Sequence, residues 1–338
     1  MINIDGSFGE GGGQIVRSAL ALSMVTGQPF TIEKIRARRS KPGLMRQHLT
    51  AVQAAAEVCG AEVSGDAIGS TALTFTPGTV RGGEYAFSIG TAGSTTLVLQ
   101  TVLLPLVLAP EPSHVVLEGG THNPFAPPFE FLARAYLPLL RRMGADVRAQ
   151  LLQPGFYPAG GGRIEVDIAP VAGLAAIDLL ERGAAVARTA QACVANLARS
   201  IAEREIRVIR RQLAWPAEHG EIEEITGAHG PGNVVTITVE HEHVTEVFTG
   251  FGERQRAAEA VADAAARECR AYLKATAPVG EHLTDQLMLP LALAGGGSFR
   301  STGLTPHAHT HIELIRKFLD VPIETQREAT GEVVVRFG

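Results

Sequence analysis

Three stretches of the chain repeat one order of parts: a glycine-containing turn, polar residues with a glutamine, then an apolar helix. They are GEGGGQIVRSALALS (9–23), GTAGSTTLVLQTVLLPLVL (90–108) and GEHLTDQLMLPLALAG (280–295). A second helical stretch follows each: GLMRQHLTAVQAAAEVCGAEV (43–63), PPFEFLARAYLPLLRRMGADV (127–147) and HTHIELIRKFLDVPI (309–323). In the first of these, Met45, Leu49, Val52 and Ala56 recur at the spacing of one helix face. With Gln14, Gln100 and Gln286 taken as corresponding points, the first interval is 86 residues and the second 186. Equal repeats therefore leave about 100 extra residues before the third, the size of an ordinary small domain. The spacing predicts a large domain over 1–182 and 279–338, with a small α/β domain inserted over 183–278.

The expected insertion differs from its surroundings. It holds two stretches rich in alanine and charge, QACVANLARSIAEREIRVIRRQL (191–213) and ERQRAAEAVADAAARECRAYLKA (253–275), which read as helices around the alternating runs NVVTITVEHE and VTEVFTG. Outside it, ALTFTPG, YAFSIG, HVVLEGG and GGRIEVDI alternate as half-buried strands do. The expected class is α/β (α+β), in two layers with sheets on one side and paired helices on the other.

Composition narrows the function classes. Hydrophobic residues make up 45% and charged residues 19% of 338, which fits an ordered chain. The longest apolar run, TTLVLQTVLLPLVLAP (95–110), is broken by Gln100 and Pro105 and falls short of the roughly 20 residues a spanning helix needs. It reads as buried helix, with no membrane partner. The first residues, MINIDGSFGEGGG, show no secretory signal pattern. Cys59, Cys193 and Cys269 are too scattered for a disulfide framework or a paired-cysteine metal site, so a cytoplasmic location is expected. A net charge of −5 speaks against coating long nucleic acid, which requires many phosphates to be neutralised. One segment runs the other way: KIRARRSKPGLMR (34–46) holds six basic residues.

Three segments carry candidate chemistry. DGSFGEGGGQ (5–14) sets glycines before a helix, where backbone N–H groups can approach an anion, but it matches neither the Walker nor the Rossmann fingerprint. Glu10 among those glycines suits a hard cation such as Mg²⁺, which takes one or two carboxylates plus phosphate oxygens. In the basic segment Arg36, Arg39 and Arg46 precede a helix whose first turn carries Gln47 and His48; arginine's planar fork matches phosphate. Finally, TPHAHTHIELIRKFL (305–319) alternates His307, His309 and His311. An extended backbone would let all three bind one metal, whereas a helix puts only His307 and His311 on one face. Ile312, Ile315 and Leu319 have helical spacing and predict a helix start near 307–310, which weakens the metal reading. A helix N-terminus disfavours imidazolium, and a neutral imidazole is what a nucleophile must be.

Taken together, these residues resemble one family, the RNA 3′-terminal phosphate cyclases. The matching stretches are DGSFGEGGGQIVRSALALS, RARRSKPGLMRQHLTAV, GTVRGGEYAFSIGTAGSTTLVLQTVL, GGTHNPFAPPFEF, GFYPAGGGRIEV, HGPGNVVTITVE and VGEHLTDQLMLPLALAGGG, nearly end to end. The resemblance implies three repeats like those of enolpyruvyl transferases, interrupted by a smaller α/β domain. It implies ATP-dependent conversion of an RNA 3′-phosphate to a 2′,3′-cyclic phosphate through a histidine–AMP and an RNA-adenylate intermediate. By local motif it makes His307 the nucleophile and Glu10 the ligand of a divalent cation, Mg²⁺ or Mn²⁺. Arg36, Arg39, Gln47 and His48, with Arg17 and Arg46, would surround ATP phosphates or the RNA end. Gln100, Pro127, Phe131, Asp285 and Gln286 would line the adenosine pocket. The partners it implies are ATP and RNA 3′-phosphate ends, with a homodimer as candidate assembly.

Two positions depart from the family pattern. A tyrosine that stacks on adenine in relatives is His282 here, and the asparagine that commonly follows the threonine is His311. A non-catalytic ribosome-maturation factor of the same family would lack the nucleophilic histidine, so the presence of His307 counts against that alternative.

Overall fold

The computed structural model describes residues 1–338. The first sheet begins with β1 (Ile2–Asp5), which pairs in parallel with β2 (Phe30–Glu33) across helix α1 (Gln14–Thr26). After α2 (Arg46–Cys59) come β3 (Glu62–Ser64) and β4 (Leu73–Thr76); β4 lies antiparallel between the other two, giving the order β1-β2-β4-β3. The chain then lays down β5 (Glu84–Ser88), α3 (Thr95–Val107), β6 (Ser113–Gly119) and a helix running from α4 (Phe129–Phe131) through a π segment into α5 (Leu137–Arg142). With β7 (Val147–Gln153) and β8 (Gly162–Ile168) the order is β5-β6-β8-β7, again with the first pair parallel.

Next come β9 (Asp178–Leu179), β10 (Ala185–Ala195), α6 (Ser200–Leu213), β11 (Gly220–Ile225), β12 (Gly232–His241), β13 (Thr245–Phe251) and α7 (Ala258–Lys274). Strands β10 to β13 form their own sheet, β11-β10-β12-β13. The chain closes with α8 (Glu281–Ala294), β14 (Gly297–Ser301), α9 (Pro306–Phe318), β15 (Ile323–Arg327) and β16 (Val333–Phe337). These strands reach back to β9 for the order β9-β14-β16-β15. The class is mixed α/β, built on four small mixed sheets.

Two main hydrophobic cores follow from this arrangement, with a small third cluster of Phe156, Cys193, Ala195 and Val234. The larger gathers α1, α2, α3, α5, α8 and α9 against the first, second and last sheets; the smaller lies between β10, β12, α6 and α7. Helix α3 is apolar all round and buried on every side except at Gln100, as such a helix must be. No helix is long and apolar enough to cross a membrane.

Three details differ from the expectations. The buried face of α2 centres on Ala51, Ala54, Ala55 and Val58, while Leu49 and Ala56 are only half-buried. Alanine carries too little hydrophobicity to mark a face in sequence, so the larger side chains misdirect the phase. The stretch 191–213 is not one helix: residues up to Ala195 belong to β10, where Ala190, Ala192 and Val194 alternate into the small core, and α6 starts at Ser200. The marker glutamines are not equivalent either, since Gln14 opens α1 whereas Gln100 and Gln286 stand in the second turns of α3 and α8.

Candidate active site

The loop between β1 and α1 docks on the start of α9. The backbone N–H of Glu10 donates to Thr310 Oγ1 at 3.1 Å, and that hydroxyl donates to the Pro306 carbonyl at 2.8 Å. The glycines make the approach possible. A Cβ on Gly9 would collide with Thr310 of α9, one on Gly12 with the Glu10 carboxylate, and one on Gly13 with the His48 ring. Helix α9 is started by Thr305, whose Oγ1 accepts from Ala308 N at 3.0 Å, with Pro306 at the first helical position. The same hydroxyl donates to Asp285 Oδ1 at 3.0 Å and so ties α9 to α8.

The three histidines are not equals. His307 is half-exposed and its Nδ1 lies 2.8 Å from Gln14 Oε1; an amide oxygen only accepts, so Nδ1 carries the proton and Nε2 a free lone pair. The Glu10 carboxylate lies 3.8 Å from the same Nδ1. Burial, then Arg39, Arg17 and His282, lowers the His307 pKa. His309 points to solvent. His311 is buried, its Nδ1 3.3 Å from the Asp285 carbonyl, its Nε2 without a partner, and burial takes its pKa down to about 4. No three His, Cys, Asp or Glu side chains converge in a metal-binding cluster.

Cationic side chains dominate the surroundings. Arg39 pairs with Glu10, the only carboxylate that an ion pair brings to this group. Arg17, in α1, has no carboxylate partner, and burial lowers its pKa to about 10. Arg36, at φ 53°, spends Nη1 on the carbonyls of Lys41 and Gly43 at 2.8 and 2.7 Å, which folds the basic segment back on itself. His48 accepts from Met45 N at 3.3 Å, and burial, Arg17 and Arg36 press its pKa down to about 3. Gln47 Oε1 accepts from Ser94 N at 2.7 Å, joining α2 to the start of α3. Arg46 is exposed at the first residue of α2.

A second group lies along α3 and α8. The Gln100 amide donates to Gln286 Oε1. Burial raises Asp285 to about 7, against the lowering effect of the Thr305 hydroxyl. His282 is exposed on the first turn of α8, its Nε2 4.0 Å from Glu268. Pro127 is half-buried, its carbonyl accepting from Thr96 Oγ1 at 2.6 Å. Phe131 is only 4% exposed and packs in the large core, so it offers a ligand no free face in this conformation.

The structure thus gathers Glu10, Arg17, Arg36, Arg39, His48 and His307 on one side, and Gln100, Asp285 and Gln286 on the other. Sequence reading missed three participants: Gln14, Thr305 and Thr310. Thr305 had a signal, a Thr-Pro pair ahead of an apolar period, which marks a helix start. Gln14 had none, because its partner lies 293 positions away.

Fold and site together define a mixed α/β protein with a neutral imidazole set among arginines that outnumber the carboxylates. Comparison with known proteins makes this specific. A family model described as RNA 3′-terminal phosphate cyclase matches residues 8–325. An RNA 3′-terminal phosphate cyclase of Ralstonia nicotianae is 54% identical over 98% of this chain and 96% of its own. Those of Koribacter versatilis and Salmonella typhimurium are 53% and 48% identical, over 97% and 99% of this chain and 92% and 98% of theirs. The chain belongs to the RNA 3′-terminal phosphate cyclase family.

Proposed function

We propose that this enzyme uses ATP to convert an RNA 3′-terminal phosphate to a 2′,3′-cyclic phosphodiester by way of histidyl-AMP on His307. Family membership supports the overall reaction. The single observation that carries the covalent step is the state of His307: accessible, held neutral by burial and nearby cations, and set among arginines with one carboxylate between them.

His307 Nε2 attacks the α-phosphorus of ATP; a P–N bond forms as the P–O bond to pyrophosphate breaks. Arg17, Arg36 and Arg39 would offset charge on the phosphate oxygens, which is most of what such a transfer requires. The RNA 3′-phosphate then takes the AMP and releases the imidazole. Finally the vicinal 2′-hydroxyl attacks the activated phosphate and AMP leaves. This closure is intramolecular, where effective molarities reach about 10⁵–10⁸ M. Its need for a 2′-hydroxyl accounts for selectivity toward RNA.

Glu10 fits as the protein ligand of Mg²⁺ or Mn²⁺: its carboxylate rests against Gly12, where any side chain would displace it, and a single carboxylate leaves room for phosphate oxygens. Such a cation would spread the charge of the triphosphate. Gln100, Pro127, Asp285 and Gln286 fit the adenosine side, with His282 at its rim and Phe131 behind it. Gln47, His48 and Arg46 border the RNA phosphate.

The same strand order in three sheets, each with the first pair parallel, supports a large domain of three repeats over 1–182 and 279–338. The separate sheet and core of 183–278 support its insertion before the third.

The test is incubation of purified enzyme with ATP, Mg²⁺ and oligonucleotides ending in 3′-phosphate. RNA should end as the cyclic phosphodiester with release of both pyrophosphate and AMP, whereas a 2′-deoxy end can take up AMP but cannot close, and so should release pyrophosphate without AMP. Equal release of AMP from both ends would refute the cyclisation.

A further inference from the structure

Gln14 is the only hydrogen-bond partner of the His307 ring, and this is the only side-chain hydrogen bond that Gln14 makes. We propose that Gln14 is a positioning residue for the nucleophile: its amide oxygen holds Nδ1–H so that the Nε2 lone pair faces the reacting phosphorus. The proposal rests on the His307 adenylylation reading above.

The argument starts from the ring. A neutral imidazole has two tautomers, and only the one with its proton on Nδ1 leaves Nε2 able to attack. An acceptor that cannot donate settles the choice, and Gln14 Oε1 is one at 2.8 Å. The other acceptor nearby, Glu10 Oε2, stands at 3.8 Å, beyond hydrogen-bond range, and the Glu10 carboxylate is engaged by Arg39. Gln14 opens α1 and His307 stands in the first turn of α9, and the two helices pack together. The hydrogen bond therefore fixes ring orientation as well as tautomer from a rigid platform. No proton leaves during attack: Nδ1–H persists, its hydrogen bond turning charge-assisted as the ring takes up positive charge. Partners that orient a metal-ligating histidine through its other ring nitrogen typically carry a roughly 10–100-fold effect, and a similar size is expected for this nucleophile.

Gln14→Met keeps length and flexibility and removes the acceptor; Gln14→Glu restores an acceptor oxygen. In single-turnover labelling with α-labelled ATP, Gln14→Met should lower the rate at saturating ATP by about 10–100-fold, with the half-saturating ATP concentration changed less than about twofold. Gln14→Glu should recover most of that rate. Protein labelled with ¹⁵N-histidine should show His307 with Nδ1 protonated and Nε2 bare, and Gln14→Met should show a mixture. A wild-type rate in Gln14→Met, or slowed labelling with the tautomer unchanged, would overturn the role. His307→Ala serves as the separate control: if it still labels, the adenylylation reading falls, while the tautomer signature tests Gln14 on its own.

Discussion

Replacing Thr305 by alanine removes two interactions through one hydroxyl. Its Oγ1 caps α9 by accepting from Ala308 N at 3.0 Å, and it donates to Asp285 Oδ1 at 3.0 Å. Loss of a threonine N-cap costs about 1 kcal/mol. The second loss leaves a carboxyl oxygen in a site dry enough to raise Asp285 to about 7, which adds about 1 kcal/mol more. We therefore expect Thr305→Ala to destabilise by about 2 kcal/mol and Thr305→Ser, which keeps both bonds, by less than about 0.5 kcal/mol. A double-mutant cycle with Asp285→Ala should return a coupling of about 1 kcal/mol, since the cap survives the alanine and the bond from the Thr305 hydroxyl does not. Guanidinium unfolding followed by far-ultraviolet ellipticity measures all four proteins. Because the first turn of α9 carries His307, labelling of Thr305→Ala by ATP should slow as well. A loss under about 0.5 kcal/mol in Thr305→Ala, or a serine variant as damaged as the alanine, would refute the reasoning.

Three further outcomes follow from buried polar groups. Arg17 holds its charge without a carboxylate, so Arg17→Met should leave the unfolding midpoint unchanged or raised while ATP labelling falls at least about tenfold; a clear loss of stability would contradict this. Burial raises the Glu246 carboxyl, which accepts from the N–H of Gly280, from 4.5 to about 8. The unfolded chain releases that proton first, so the contribution of Glu246 is complete below about pH 4.5 and declines as pH rises through about 8. Glu246→Gln should flatten the fall in stability between about pH 4.5 and 8, and an unchanged profile would count against it. His311→Asn, with an amide that can still donate to the Asp285 carbonyl, should label like the parent, whereas His311→Ala should lose about 1–3 kcal/mol to the cavity it leaves.

How much of this was legible beforehand depended on whether the signal was local. Helix α3 was readable because bulky aliphatic residues fill it on every side. Alternating runs such as HVVLEGG and GGRIEVDI became β6 and β8 for the same reason. Alanine-rich segments were legible in part: 253–275 reads as a helix and holds α7, but the start of 191–213 and the phase of α2 do not read correctly. The QACVA of β10 and the AAAEVC of α2 carry little phase, and the burial that settles them comes from distant partners. At the site, His307, Glu10 and the arginines could be named because charged and titratable residues stand out against a loop. Their grouping could not be read locally, since the contacts that create it join residues 10 and 14 to residues 307 and 310. Phe131 shows the opposite failure: the motif nominated it, but packing gives its ring to the core.

The central claim, that His307 becomes adenylylated, is tested most directly with ATP labelled at the α-phosphate, Mg²⁺ and no RNA. The parent, His309→Ala and His311→Asn should each acquire a label that survives denaturation and is released by acid. His307→Ala should acquire none. A label retained by His307→Ala, or an unlabelled parent, would contradict the account.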